Sequence, residues 1–270
     1  MSKKTDLNTL TIIIPAYNEE HHIKDCLDSV ASQSIVPDEV ILINNNSSDK
    51  TVEIARNYSF VKIINEKKQG IVYARNAGFN KSKSNIIGRI DADTVLPKDW
   101  VYKVKKFYRN PNNSSSALTG NGYFRNMMFP PRRFNGFVQN LITFRFNRLV
   151  LGHYVLWGSN MAMLRSDWLK VKQYTCSLTN IHEDLDLAIH LHRIGVKIVY
   201  KPKLFVSVIM KRAFDNYKEV WPNLMWWPRT LRHHDNPKWL GGMIGAVIII
   251  LISFVLAPLN ILLIKFKNLF

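Results

Sequence analysis

Two carboxylates, Asp91 and Asp93, flank Ala92 directly after the apolar run Asn85-Ile86-Ile87-Gly88-Arg89-Ile90. Charged side chains are seldom buried unless they are paired or hold a cation. A divalent ion resolves the pattern, because Mg²⁺ and Mn²⁺ prefer oxygen donors and bind one or two carboxylates together with substrate phosphates. The pair therefore suggests a metal–diphosphate site. Asp-x-Asp at a strand end also serves as a turn or a helix cap, so the reading needs support from the rest of the chain. A second acidic pair, Glu183-Asp184, opens an amphipathic stretch. Taken alone, that pair is negative charge favoured by the positive end of a helix dipole.

The elements that must position these residues alternate in type. Leu10 to Pro15, Glu39 to Ile43, Val61 to Ile64 and Asn85 to Ile90 read as buried strands. Glu20 to Gln33, Asp49 to Tyr58 and Gly70 to Asn80 read as helices between them, with Ser48 or Asp49 capping the second. Such alternation predicts βαβ units and a mostly parallel sheet, an α/β fold. Ligands of these sheets bind outside the carboxyl ends of the strands. Asn18, Asn44 to Asn46, Asp91 and Asp93 all fall there. The loop Pro111 to Ser116 divides residues 1–110 from a less regular half, 111–215. That half offers strands at Ala117 to Tyr123, Gly158 to Leu164 and Val196 to Tyr200. It offers helices at Arg133 to Leu149 and Glu183 to Ile194, the last ending at Gly195.

The chain has 270 residues and a net charge of +17, with 37 Lys+Arg against 20 Asp+Glu. This balance suggests an anionic partner. Nucleic acid is not expected, because no recognition motif appears and the basic residues are spread along the chain. Two cysteines, Cys26 and Cys176, lack metal-type spacing and fit a reducing compartment. His182, His190 and His192 fall in one helix; zinc would require a tighter arrangement with a third ligand, so they read as solvated or core residues. No N-terminal signal peptide is visible.

Gly241 to Ile264 carries no charged residue over 24 positions. A helix of that length reaches about 36 Å, enough to cross a hydrocarbon core of about 30 Å. Pro258 and Asn260 leave a kinked span or a re-entrant hairpin open. Residues 216–240, with Trp221, Trp226, Trp227, Trp239, Arg229, Arg232 and Lys238, read as a basic aromatic segment against anionic headgroups.

The order of motifs resembles the family-2 glycosyltransferases of the GT-A fold. Ile14-Pro15-Ala16-Tyr17-Asn18-Glu19-Glu20 is similar to that family's opening motif. Asn44-Asn45-Asn46-Ser47-Ser48-Asp49-Lys50-Thr51 resembles its Asp-Asp-Gly-Ser-x-Asp-x-Thr segment. Gly70-Ile71-Val72-Tyr73-Ala74-Arg75-Asn76-Ala77-Gly78 resembles its Gly-x-x-x-Ala-Arg-Asn-x-Gly helix. Asp91-Ala92-Asp93 and His182-Glu183-Asp184-Leu185-Asp186-Leu187 complete the series, which covers residues 9 to 210.

The resemblance implies an inverting, metal-assisted transfer of a sugar from a nucleotide-sugar to a hydroxyl of a lipid-linked or cell-envelope glycan. It implies Asp93 as the Mn²⁺ or Mg²⁺ ligand, and Asp91 on the ribose or on the metal through water. Asp184 matches the base position, with Glu183 beside it; a carboxylate there can accept the proton of the attacking hydroxyl. Pro15, Ala16, Tyr17, Glu19, Asn45 and Arg75 would contact the nucleotide. Gly158, Ser159, Asn160 and Trp157 would face the acceptor, as could His153 and Tyr154 if they are not core. Asn44 and Asn45 replace residues that are usually acidic, which puts donor identity in doubt; a UDP-sugar is favoured, with GDP- and dTDP-sugars as alternatives. The Gln-x-x-Arg-Trp motif of processive members is missing, so a single transfer is expected. Nucleotide-sugars are cytosolic, which places the catalytic domain on the cytoplasmic face of the cell membrane. The rivals are a polyprenyl-phosphate sugar synthase and a non-catalytic membrane-bound homologue.

Overall fold

The alternation in the first ninety residues is present. The computed structural model describes residues 9–126, 131–209, 217–241, 243–245 and 247. Strands β1 (Leu10–Ala16), β2 (Glu39–Asn44), β3 (Val61–Asn65) and β4 (Ile86–Arg89) alternate with helices α1 (Ile23–Ala31), α2 (Thr51–Arg56) and α3 (Ile71–Lys81). Then follow α4 (Trp100–Arg109) and β5 (Ser116–Phe124). Next is a helical stretch of α5 (Arg132–Gln139), a π-helical turn (Asn140–Phe146) and α6 (Asn147–Leu151). The chain continues through β6 (Met161–Leu164), α7 (Arg165–Val171), α8 (Glu183–Arg193), β7 (Lys197–Val208) and α9 (Tyr217–His233).

The seven strands form one sheet in the order β3-β2-β1-β4-β6-β5-β7. β1 pairs in parallel with β2 and β4, and β2 with β3. β6 runs antiparallel between β4 and β5, and β7 closes the edge in parallel with β5. Strands from both sides of residue 110 thus share one sheet. Alternate residues of β1 serve opposite faces, as a pleated strand requires. Ile12 and Ile14 pack with Ile23, Leu27, Trp100 and Val104 of α1 and α4. Ile13 packs on the other face with Ala74, Phe79, Trp168 and Leu187. Gly78 lets α3 approach closely, since a Cβ there would stand 2.3 Å from Ile13 Cγ2.

Two expectations need correction. The helix read over Arg133 to Leu149 is not uniform, because the π-helical turn interrupts it before Gly152 ends it at φ 82°. The cap of α2 is Lys50, with no side-chain bond, while Asp49 Oδ1 accepts from Thr51 N at 3.0 Å.

The aromatic segment is also partly inside the protein. Trp227 and Leu231 are buried with Phe144 and Val150, and Trp227 Nε1 donates to Asn147 Oδ1 at 2.8 Å. Arg232 sits over the Trp239 ring, 5.5 Å from its centroid. Most of the apolar run 241–264 lies outside the described residues. Among the described residues, no helix is long and apolar enough to cross a membrane.

Candidate active site

A cavity of about 660 Å³ opens at the carboxyl ends of β1, β2 and β4. Pro15, Ala16, Tyr17 and Glu19 form one wall, and Asn45, Gln69 and Gly70 form the next. Asp91 and Asp93 lie at the end of β4, facing Trp157, Gly158, His182, Glu183 and Asp184. The five motifs therefore converge on one space.

Local hydrogen bonds explain how the sequence builds the walls. Asn18 adopts φ 52°, a left-handed conformation that asparagine tolerates, and its Oδ1 accepts from Ser48 N at 2.9 Å. Thr51 Oγ1 accepts from Glu19 N at 2.7 Å, and Asp49 Oδ2 from Glu20 N at 3.0 Å. The first two motifs are thereby locked together. The three asparagines brace the loop that leads into α3. Asn44 Nδ2 donates to Asn65 Oδ1 at 2.9 Å, and Asn46 Nδ2 donates to Lys67 O at 2.8 Å. Asn45 Nδ2 donates to Glu66 O and Lys68 O at 2.9 and 2.8 Å, while its Oδ1 accepts from Gly70 N at 2.8 Å. Both amide donors of Asn45 are thus spent on the loop, so this side chain shapes the cavity wall.

A buried ionic cluster lies at the floor. Glu183 Oε2 accepts from Arg75 Nη1 at 2.5 Å, and Glu183 Oε1 accepts from Arg89 Nη1. Arg89 Nη2 continues to Asp91 Oδ1 at 3.0 Å, and Ser159 Oγ donates to Asp91 Oδ2 at 2.5 Å. Arg89 is buried, and although burial opposes its charge, the carboxylates of Glu183, Asp91 and Asp184 hold its pKa above the ordinary value. Asp184 is half-buried and free of any cationic clamp of this kind. Its Oδ2 accepts from Gly158 N at 3.1 Å and its Oδ1 from Leu185 N at 2.8 Å. Burial, followed by the neighbouring Glu183 charge, raises its pKa. The two members of the acidic pair thus have different surroundings: Glu183 is held between two guanidinium groups, whereas Asp184 accepts from backbone N–H groups.

Several sequence expectations are revised by this geometry. Arg75 does not line the cavity; it is fully buried and grips both the side chain and the carbonyl of Glu183. Glu183 borders the cavity with both oxygens committed to guanidinium groups. Gly158 is small because Arg89 lies against it, a Cβ there standing 2.7 Å from Arg89 Cζ. Asn160 is buried, accepting from Trp100 Nε1 at 2.8 Å and donating to the carbonyls of Asn121 and Leu204 at 2.9 and 2.8 Å. Neither Asn160 nor Ser159 lines the cavity; Trp157 does. His153 stacks on His192 at 4.1 Å and Tyr154 packs near Tyr200 at 5.4 Å. Pro15, Ala16, Tyr17, Glu19, Asp91 and Asp93 line the cavity.

Arg89, His182 and Trp226 also line the cavity, a placement the sequence did not give them. Arg89 carried a usable signal, since a lone arginine in an apolar strand is as anomalous as the carboxylates that follow it. The site also suits a hard cation. Asp91 and Asp93 both present carboxylates to the cavity, and Asp91 also bonds Arg89 and Ser159.

A family model described as "Glycosyl transferase family 2" matches residues 11–171. The chain belongs to glycosyl transferase family 2. The chain is thus a glycosyltransferase domain. The glycosyltransferase GlyA of Streptococcus pneumoniae serotype 4 is 31% identical over 101 residues, 36% of this family-2 chain and 14% of the relative. A poly-beta-1,6-N-acetyl-D-glucosamine synthase of Staphylococcus aureus is 31% identical over 136 residues, 47% of this chain and 32% of the relative. The matches thus span a third or less of these relatives. Among solved structures, a Pyrobaculum calidifontis mannosyltransferase in complex with GDP-Man and Mn²⁺ superposes with a TM-score of 0.67 at 17% identity, covering 93% of this chain and 73% of that one. TarS of S. aureus in complex with UDP-GlcNAc gives 0.62 at 15% identity, covering 82% and 65%. At these identities the structures show a shared fold, the GT-A architecture implied by the motifs.

Proposed function

We propose that this chain is an inverting glycosyltransferase that moves a sugar from a nucleotide-sugar to a hydroxyl of a lipid-linked or cell-envelope glycan. The observation that carries the reading is Asp184, a carboxylate with a raised pKa, sharing one cavity with Asp93. The nucleotide would lie against Pro15, Ala16, Tyr17 and the Asn45-braced loop, with its diphosphate directed to Asp93. Asp93 would hold a divalent cation, which would stabilise the charge that develops on the leaving diphosphate. Asp184 accepts the acceptor's hydroxyl proton as the oxygen bonds to the anomeric carbon. The bond from that carbon to the diphosphate breaks, and one displacement inverts the configuration. Arg75 and Arg89 grip the Glu183 carboxylate from two sides, which fixes the turn that carries Asp184.

A UDP-sugar remains the favoured donor; GDP- and dTDP-sugars are tested beside it. Membrane attachment is supported by exposed apolar residues at Phe134, Phe137, Leu149 and Ile244 and by the uncharged run 241–264; the cytoplasmic face is proposed because nucleotide-sugars are cytosolic.

The test is calorimetric titration of the detergent-solubilised chain with UDP-, GDP- and dTDP-sugars, with and without Mn²⁺. Metal-dependent binding of one nucleotide class, abolished by Asp93→Ala, is expected. Binding of none of them under any metal condition would overturn the enzymatic reading in favour of a non-catalytic homologue.

A further inference from the structure

We infer that Cys176, Asp186, His190 and His234 form a structural zinc site, separate from the donor cavity. One ligand atom from each of the four lies within 4.8 Å of the others. None of the four lines the cavity. Asp186 and His190 stand four apart on α8, on one helical face. Cys176 comes from the loop before that helix, and His234 from the turn after α9.

The present contacts already converge on Asp186. Its Oδ1 is 2.9 Å from His234 Nε2 and 3.5 Å from His190 Nε2. Its Oδ2 accepts from Cys176 N at 3.0 Å. His190 Nε2 is buried and makes no hydrogen bond with any described residue. Tetrahedral zinc, with bonds of about 2.0–2.3 Å, places its donors about 3.3–3.8 Å apart. Drawing the four atoms in from 4.8 Å requires side-chain adjustment within the cluster.

The donor types select the ion. One sulfur, two imidazole nitrogens and one carboxylate oxygen suit borderline-soft Zn²⁺, whereas Mg²⁺ and Mn²⁺ prefer oxygen. Binding forms a Zn–S bond and releases the Cys176 thiol proton to solvent, with both imidazoles neutral. His233 Nε2, 2.9 Å from Cys176 Sγ, would remain as an outer partner of the sulfur. The ion would join the loop at Cys176, the first turns of α8 and the end of α9. Asp186 follows Asp184 by two residues, so the clamp would fix the turn that carries the proposed base.

Co²⁺ added to the metal-free full chain is the probe. The expected result is one equivalent bound, with intense tetrahedral d–d bands and a thiolate-to-cobalt charge-transfer band, both bleached by Zn²⁺. Cys176→Ser should lose the charge-transfer band, His234→Gln should weaken binding at least tenfold, and Asp93→Ala should leave both bands intact. The wild-type spectrum tests the site even if a variant fails to fold. A weak octahedral spectrum, no charge-transfer band, or a band that survives Cys176→Ser would overturn the inference.

Discussion

Arg89 lies against the backbone of Gly158 so closely that a Cβ at position 158 would stand 2.7 Å from its Cζ and Nη2. The same guanidinium bonds Glu183 and Asp91, so the glycine sets the position of two carboxylates at once. Gly158→Ala must push Arg89 away from one of them. A loss of about 1–3 kcal/mol in urea unfolding is expected for such overpacking, with a fall in turnover larger than the change in donor affinity. Wild-type turnover in the alanine variant would show that Arg89 has room to move.

Arg75 is predicted to act on stability and not on the nucleotide. Arg75→Met leaves the buried Glu183 with one cation in place of two and should cost about 3 kcal/mol in chemical denaturation. Arg75→Lys should also destabilise, because a point charge does not reproduce the guanidinium fork. In either variant, folded protein should bind donor nearly as tightly as wild type. A selective loss of donor affinity would restore the nucleotide contact expected from the sequence.

Asp184 works as a base only when ionised. Turnover should therefore fall as pH drops through its raised pKa, with the acid limb above the ordinary aspartate range. Glu183→Gln removes a charge that raises this pKa, so the limb should move to lower pH. Asp184→Asn should lower turnover about 10²–10⁴-fold while donor binding persists. Small loss in Asp184→Asn would favour a phosphate acceptor, which needs less help from a base.

Restoring the usual acidic residue at position 45 should weaken the enzyme. Asn45→Asp replaces two donors with acceptors opposite the carbonyls of Glu66 and Lys68. An unmet buried acceptor costs about 1–3 kcal/mol. Because Gln69 and Gly70 line the cavity, donor affinity should fall about tenfold, the equivalent of about 1.4 kcal/mol. Tighter binding in titrations of the aspartate variant would refute this account.

The parallel half of the fold was legible because each strand is a short apolar run bounded by turn residues, and α1 places Ile23, Leu27 and Val30 on one buried face. Asp91 and Asp93 were legible for the opposite reason, as charges where apolar residues were expected. What could not be read was partnership across long separations. Arg75 and Glu183 are 108 positions apart, and nothing local to Arg75 reveals that it turns away from the cavity. Gly158 and Asn160 are ordinary turn residues in sequence; their roles depend on Arg89 and on Trp100. His190 read as a solvated or core residue because Cys176 and His234, which join it beside Asp186, come from outside the helix.

The place of β6 in the sheet has a consequence for synthesis. Ile86–Arg89 pairs on one side with β1 and on the other with Met161–Leu164. During translation, β4 therefore emerges long before its second neighbour and remains an open sheet edge while more than seventy residues are added. Such edges invite pairing with other chains. The edge that β6 later covers thus ends just beside Asp91, so prompt arrival of β6 shortens the time in which this edge can pair with another chain.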